Sequence, residues 1–172
     1  MSQDLHSSEF PLEFTVFSIE NLGWLACCRR QGLLRRLVFG MNSPAEALSR
    51  LDIQAEAAET SDPLEAPLRD LAQGRQPDFS STKIDWEGFT EFQQQVYRAC
   101  LAIPFGQTRS YAEIAAAAGS PRAARAVGNA MSANRVPLVI PCHRVVAAGE
   151  KLGGYSAEGG TRMKRFLLEL ES

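Results

Sequence analysis

The sequence predicts a small α/β domain followed by a mainly helical domain. Three apolar runs separated by polar turns, at residues 14–19, 24–28 and 33–39, predict β-strands in the N-terminal part. From residue 89 onward, the apolar side chains recur at the three- and four-residue spacing of helices. A polar stretch with one proline, residues 76–83, separates the two patterns, so we expect domains at residues 1–82 and 83–172.

Two helices complete the predicted N-terminal domain. Ser43, Pro44 and Glu46 stand in the order of an N-cap, a first-turn proline and an acidic third residue, which predicts a helix start. A second helix is expected within residues 64–72, ended by Gly74. We see no cluster of reactive side chains in this part of the sequence and interpret the domain as a scaffold.

The C-terminal domain begins with an amphipathic helix. Phe89, Phe92, Val96, Cys100 and Ile103 follow helical spacing, which puts the cysteine of this set on a buried face. The Pro-Phe-Gly sequence that follows ends the helix.

A helical hairpin is predicted next. Ser110 and Glu113 form a capping box that opens a helix over residues 111–118. Ser120 is expected to cap the second helix, residues 122–133. Many DNA-binding proteins place the second helix of such a pair in a groove, although plain helical hairpins share the pattern. A glycine inside the second helix, at residue 128, costs about 1 kcal/mol relative to alanine, which suggests that a close contact has a use there.

Charge distinguishes the two halves of the chain. The net charge of the 172 residues is −2, which by itself gives no support to nucleic-acid binding. Residues 1–87 hold 8 Lys and Arg against 14 Asp and Glu, whereas residues 88–172 hold 10 against 6. The C-terminal half is therefore the part expected to meet a polyanion, with moderate and salt-sensitive affinity.

The four cysteines, Cys27, Cys28, Cys100 and Cys142, show no C-x-x-C spacing, so neither a disulfide framework nor a zinc ribbon is indicated. The polar N-terminus lacks the pattern of a secretory signal, and no apolar run approaches the roughly 20 residues that cross a bilayer. We expect a protein of the reducing cytoplasm that is not bound to a membrane.

The most informative stretch is residues 136–146, in which an apolar run leads into Cys142, His143 and Arg144. Two prolines in this stretch fix their own φ angles and favour extended backbone before them, so the cysteine is held on stiff chain. A thiol becomes nucleophilic when positive charge and hydrogen bonds stabilise its thiolate, and His143 and Arg144 can supply both. The alternative is a buried cysteine that fills the core.

The Pro-Cys-His-Arg-Val sequence at residues 141–145 resembles the active-site signature of the O6-alkylguanine-DNA alkyltransferases. The resemblance covers most of residues 88–172 and, more loosely, the N-terminal part. It implies a ribonuclease H-like α/β N-terminal domain and a C-terminal domain with a winged helix-turn-helix. Further blocks match the family with matching spacing, at residues 104–106, 110–111, 123–128, 134 and 154–156.

The resemblance assigns the chemistry to a few residues. Cys142 is the implied alkyl acceptor, His143 the general base acting through a bridging water, and Glu171 the carboxylate that orients this histidine. Glu169 is the rival for the last role, because carboxylates two residues apart on a helix cannot share a face. Tyr111 would donate a hydrogen bond to the purine ring nitrogen as the alkyl group leaves.

The same resemblance implies how DNA is held. Arg125 would intercalate where the damaged nucleotide has left the stack, and Asn134 would join the second helix to the active-site segment. The small residues of that helix suit entry into the minor groove. The remaining implied contacts are with DNA, through Ser120, Ala124, Ala126 and Gly128, and with the flipped base, through Met131, Val145, Tyr155 and Ser156.

The implied activity is transfer of the alkyl group of O6-alkylguanine in double-stranded DNA to Cys142, once per molecule and after base flipping. We expect it to extend to O4-alkylthymine. A monomer without a cofactor is expected. Some relatives carry a zinc ion in the N-terminal half, but His6, Cys27 and Cys28 are the candidate ligands here, and we expect no metal site.

Two other classes of protein share part of the pattern. A sensor would flip and bind alkylated guanine without repairing it, but relatives of that type lack the acceptor cysteine. A cysteine hydrolase would use Cys142 and His143, but adjacent side chains rarely align for direct proton transfer, and the helical hairpin would then have no role.

Overall fold

The computed structural model describes residues 11–51 and 61–172. Its N-terminal part is an antiparallel sheet of three strands in chain order, β1 (Leu12–Ile19), β2 (Gly23–Arg30) and β3 (Leu33–Met41). All three lie where the apolar runs predict them, and each is two or three residues longer than the predicted run. Alternate side chains face opposite sides of the sheet, so Phe17 belongs to the main core and Val16 to a smaller cluster.

Helices cover both faces of this sheet. α1 (Pro44–Arg50) places Ala47 in the smaller cluster, and α2 (Glu65–Ala72) places Leu68 in the main core on the other face. The side chain of Ser43 accepts a hydrogen bond from the N–H of Glu46, as the predicted N-cap requires.

The C-terminal part consists of four helices and a pair of very short strands. The helices are α3 (Glu91–Leu101), α4 (Tyr111–Ala117), α5 (Ala124–Ser132) and α6 (Gly160–Leu170). The strands β4 (Arg109–Ser110) and β5 (Val145–Val146) pair in parallel. The main core runs from the N-terminal sheet through these helices to α6, so the two parts share one apolar interior.

The turn between α4 and α5 differs from the prediction. α5 begins at Ala124, its N-cap is Ala123, and no side chain caps it. Ser120 instead donates its N–H to the carbonyl of Ala115 and accepts from the N–H of Ala123. The prediction that Ser120 caps the second helix is therefore wrong, because backbone groups of the turn satisfy one another. At Gly128 the nearest neighbour that a Cβ would meet is the ring of Tyr111, at 4.0 Å.

The segment after the predicted domain boundary is bound to the edge of the N-terminal sheet. The N–H of Leu34 donates to the carbonyl of Lys83, and the N–H of Asp85 donates to the carbonyl of Leu34, each at 2.8 Å. The carboxylate of Asp85, which is buried, accepts from Arg30 and Arg35. These contacts fix the start of the helical part against β3.

Within residues 11–51 and 61–172, no helix is long and apolar enough to cross a membrane. Over the same residues, no group of three or more His, Cys, Asp or Glu side chains is placed to hold a metal ion. Cys27 and Cys28 are buried free thiols, and His6 lies outside the described residues.

A buried carboxylate, that of Asp62, ties the start of α2 to the sheet. It accepts hydrogen bonds from Thr15 at 2.9 Å, from Arg29 at 2.8 Å and from the N–H of Leu64 at 2.8 Å. Burial acts to raise the pKa of Asp62, but the bonds from Arg29 and Leu64 outweigh it, so the pKa is below its usual value. The carboxylate therefore contributes stability above the unfolded-state pKa of about 4, and this is lost as the pH falls through the folded-state pKa.

We predict that Asp62→Asn lowers the free energy of unfolding at neutral pH by about 3 kcal/mol, because the mostly buried Arg29 loses its counter-charge. Urea unfolding of both proteins over a pH series measures this, and their difference should shrink as the pH falls below about 4. Asp70→Asn, which breaks an exposed pair with Arg75, is the control and should cost about 1 kcal/mol or less. Equal losses in the two variants would contradict the role of Asp62.

Candidate active site

The cysteine of the active-site segment lies in a single turn of 3₁₀ helix, Cys142–Arg144, directly before β5. Asn134 holds the approach to this turn from both sides. Its side-chain nitrogen donates to the carbonyl of Ile140 at 3.1 Å, and its side-chain oxygen accepts from the N–H of Val136 at 3.0 Å. Between them Leu138 adopts a left-handed φ of 70°, which lets the chain turn back sharply. The thiol is thus presented on constrained backbone, with Cys142 only 6% exposed.

The surroundings of Cys142 act on its pKa in opposite directions. Burial raises the pKa of the thiol. The hydrogen bond from Asn134, the ammonium of Lys164 and the backbone N–H groups of Cys142 and His143 act to lower it, without cancelling the effect of burial. At rest the group is therefore a protonated thiol, and the donors needed by a thiolate are already in place.

A buried His–Glu pair lies beside the thiol. Nε2 of His143 lies 2.8 Å from Oε1 of Glu171, and both side chains are almost wholly inaccessible to solvent. Arg144 binds the same carboxylate, with Nε 2.8 Å from Oε2 and Nη2 3.0 Å from Oε1. Burial acts to raise the pKa of Glu171, but the bonds from His143 and Arg144 outweigh it and lower the pKa to about 2. Glu171 is therefore a permanent anion, whereas Glu169 is exposed on α6.

His143 is neutral at physiological pH. Burial lowers its pKa, and the carboxylate of Glu171 offsets that effect in part. A neutral ring that donates from Nε2 to Glu171 carries a free lone pair on Nδ1. Nδ1 is buried and has no hydrogen-bond partner among the described residues. The geometry therefore provides an oriented proton acceptor one residue from the thiol.

The cation that acts on the thiol of Cys142 is Lys164, whereas the sequence suggested Arg144. The guanidinium of Arg144 binds Glu171 and the carbonyl of Ile103, so the expectation that Arg144 stabilises the thiolate directly is wrong. Lys164 supplies that charge instead. It is fully buried, and its Nζ donates to the carbonyls of Val145 at 2.6 Å and Gly154 at 3.2 Å.

Lys164 is not among the site residues predicted from the sequence, although its spacing in the sequence indicates that it faces inward. It stands three residues before Leu167 and seven before Glu171, on the helical face that turns inward. A lysine at an inward-facing position needs a partner, and an anionic nucleophile is one such partner.

A cavity of about 240 Å³ opens beside the thiol, between α4, α5 and residues 153–159, which we call the glycine-rich loop; we call this space the helix-side cavity. It brings together most of the residues predicted to surround a flipped base, while Val145 is buried behind it. Its lining consists of Tyr111, Gly128, Asn129, Met131, Ser132, Cys142, Gly154, Tyr155 and Ser156.

Tyr111 follows β4 directly and is the first residue of α4. From this position it lines the same cavity as Cys142. Burial and the negative charge that Cys142 can carry raise the pKa of Tyr111, which keeps it a hydrogen-bond donor. The same two causes raise the pKa of Tyr155 well above its ordinary value.

Among the residues predicted to contact DNA, Gly128 lines the helix-side cavity together with Cys142. The other four lie outside this lining: Arg125 and Ala126 are exposed, and Ser120 and Ala124 are partly exposed. The site thus has two regions, a buried reactive cluster and a surface of small residues with one arginine.

A buried free cysteine, a His–Glu pair and an exposed helical hairpin occur together in this part of the chain. They define a class of protein that combines a candidate reactive thiol with a helix available for recognition. The family model described as 6-O-methylguanine DNA methyltransferase, DNA binding domain, matches residues 91–172. The methylated-DNA–protein-cysteine methyltransferase of Mycobacterium tuberculosis is 54% identical over 89 residues, which are 52% of this chain and 52% of that protein. In such alignments the chain spans about half the length of the curated relatives that it matches.

Solved structures match over nearly the whole chain. The O6-methylguanine methyltransferase of Mycobacterium tuberculosis is 36% identical with a TM-score of 0.72, covering 94% of this chain and 93% of that one. The same organism's OGT in complex with DNA is 36% identical with a TM-score of 0.71, covering 92% of each chain. The chain belongs to the O6-methylguanine-DNA methyltransferase family, which confirms the resemblance found in its sequence and its mixed α and β architecture.

The loop that walls the helix-side cavity depends on a glycine. Gly153 has a φ of 68°, and a Cβ at this position would lie 2.9 Å from the hydroxyl oxygen of Tyr111. Any side chain here must therefore displace either the loop or the tyrosine.

Under the function proposed below, Gly153→Ala is predicted to slow the reaction of Cys142 with O6-benzylguanine by about tenfold, since displacing the Tyr111 hydrogen-bond donor costs roughly 1.4 kcal/mol or more. Gly119→Ala is a matched control, because Gly119 has a similar φ of 74° but nothing within 4 Å of its Cβ position. Both variants should lose about 1–2 kcal/mol of stability from backbone strain. Time courses of mass gain would contradict the role of Gly153 if the two variants reacted equally fast.

Proposed function

We propose that the protein repairs DNA by moving the alkyl group of O6-alkylguanine, and also that of O4-alkylthymine, onto the sulfur of Cys142. The observation that carries this proposal is the arrangement around the thiol. A neutral His143 held by Glu171, a donor from Asn134 and the ammonium of Lys164 together suit a nucleophile that is activated only when it reacts. Membership of the family supports the same chemistry.

The reaction begins with proton removal from the thiol. Nδ1 of His143 accepts this proton through a bridging water, while Glu171 stabilises the imidazolium that forms. The thiolate attacks the alkyl carbon, a C–S bond forms, and the C–O6 bond breaks. The electron pair of that bond passes to the purine, where Tyr111 donates to the ring nitrogen.

The product is a thioether, and no group in the site is placed to reverse it. Each molecule therefore acts once, without a cofactor. We place the protein in the reducing cytoplasm as a monomer, where the thiol of Cys142 stays free.

DNA recognition is assigned to the helical hairpin. We take α4 and α5 as a helix-turn-helix of the winged type, and the three-stranded sheet with helices on both faces as the ribonuclease H-like domain. The small side chains of Ala124, Ala126 and Gly128 allow α5 to enter the minor groove, with Ser120 in the turn before it. Arg125 is exposed on this helix and fills the gap left by the flipped nucleotide.

The function is tested by incubating the protein with a duplex that contains O6-methylguanine and measuring its mass. We expect the mass to rise by one methylene equivalent, located on Cys142, in a one-to-one ratio with repaired base. Cys142→Ala should bind the duplex with unchanged affinity and gain no mass, because other residues build the binding surface. Binding by the native protein without a mass gain would identify a sensor, and turnover of an ester or amide would identify a hydrolase.

The role of Arg125 is separable from the chemistry. We predict that Arg125→Ala slows repair of the duplex by about tenfold or more, because unstacking costs a few kcal/mol that the arginine helps to offset. Reaction with free O6-benzylguanine needs no flipping and should keep its rate. Arg122→Ala, also exposed near the start of α5, is the control. Equal losses on both substrates would remove the intercalating role.

A further inference from the structure

Cys142 lines a second and larger cavity, of about 440 Å³, between β3, the end of α5 and residues 156–159; we call it the sheet-side cavity. It shares Ser132, Cys142 and Ser156 with the helix-side cavity, so the two adjoin at the thiol. The proposed transfer of a methyl group occupies the helix-side cavity and makes no use of this second space.

The geometry of alkyl transfer to Cys142 indicates what the sheet-side cavity could hold. In a displacement at carbon, the entering sulfur, the carbon and the departing oxygen lie in a line, so any substituent on the carbon points sideways. When the base fills the helix-side cavity, the neighbouring space at the thiol is the sheet-side cavity. A substituent longer than methyl is therefore directed toward β3 of the N-terminal domain.

Besides Cys142, the ionisable residues that line the sheet-side cavity are Arg36, Arg50, Arg135 and Glu158. Arg50 lies 2.7 Å from Glu158, and both of these side chains are substantially exposed. Arg36 donates to the backbone carbonyls of Leu51 and Arg50. The described ionisable groups of the lining are thus predominantly cationic.

Arg135 is the most constrained of these cations. Its guanidinium lies 3.8 Å from the centre of the Phe89 ring and donates to the backbone carbonyl of Glu87 at 2.8 Å. Burial and the positive charge of Arg35, with a smaller effect from Arg36, lower its pKa, and the negative charge of Asp85 offsets this only in part. An anion that enters the cavity would relieve this repulsion.

We propose that the sheet-side cavity, when it receives O6 substituents larger than methyl, favours those that end in a carboxylate over neutral ones of the same shape. Arg50 and Arg135 supply the positive charge. This specificity rests on the proposed function, and the bond changes are those of methyl transfer, with a longer group on the same carbon.

Two free bases of equal shape test the preference: O6-(4-carboxybenzyl)guanine and O6-(4-carbamoylbenzyl)guanine. Neither requires DNA binding, so any difference in rate arises at the site. The full-length native protein should react with the carboxylate at least about threefold faster than with the carboxamide, and added salt should reduce this ratio.

Two variants separate charge recognition from a role in holding the loop. Arg50→Gln and Glu158→Gln break the same ion pair but change the charge of the cavity in opposite directions. The carboxylate-to-carboxamide rate ratio should fall in the first and rise in the second. Arg75→Gln, exposed and outside the lining, should leave the ratio unchanged.

A ratio near one in the native protein, or a shift in the same direction in both variants, would overturn the inference. So would failure of both benzyl bases to react in a protein that still takes a methyl group from DNA. Methyl transfer from an O6-methylguanine duplex is measured on the same samples. Its absence from the native protein would overturn the proposed function itself, and with it this preference.

Discussion

The geometry of the site depends on the buried carboxylate of Glu171. It binds His143 and Arg144 from the active-site turn and accepts the N–H of Gly106, at 3.3 Å, from the loop after α3. Gly106 is needed for this approach, because its φ is 74° and a Cβ would lie 2.8 Å from the backbone oxygen of Glu171. Three segments far apart in the chain therefore converge on one anion. Arg144 keeps that anion ionised, and the anion keeps the imidazole oriented.

The N-terminal domain does more than fill space beside the site. The N–H of Leu37 in β3 donates to the carbonyl of Arg135 at 2.9 Å, immediately after the Asn134 that braces the active-site turn. The interpretation of this domain as a scaffold stays a prediction, and the positive charge proposed for Arg50 in the sheet-side cavity goes beyond it. The edge strand of this domain fixes the end of α5 and forms one wall of the sheet-side cavity.

Elements governed by local chemistry could be predicted, and those governed by distant contacts could not. The caps at Ser43 and Ser110 depend on residues three positions away, so the sequence displays them directly. The cap predicted at Ser120 does not form, because the backbone groups of the turn make hydrogen bonds with one another without its side chain. The pairing of β4 with β5 involves two residues each, too few to leave a pattern. The role of Glu171 is predicted only through the family resemblance. The burial of Lys164 is hard to predict from the sequence, because lysines on helices usually face water.

The ammonium of Lys164 has a structural effect and an electrostatic effect, and a substitution would change both together. It joins the carbonyl of Val145 to that of Gly154, which closes one wall of the helix-side cavity, and the same charge lowers the pKa of Cys142. A change in the glycine-rich loop that reshapes the helix-side cavity is therefore expected to alter the acidity of the Cys142 thiol as well. Under the proposed function, a broader substrate range on that side is coupled to the reactivity of the thiol. The sheet-side lining includes Asn134, which also lowers the pKa of Cys142, but it does not include Lys164. Substitutions on its β3 side therefore offer a route by which selectivity can change while the thiol keeps its acidity.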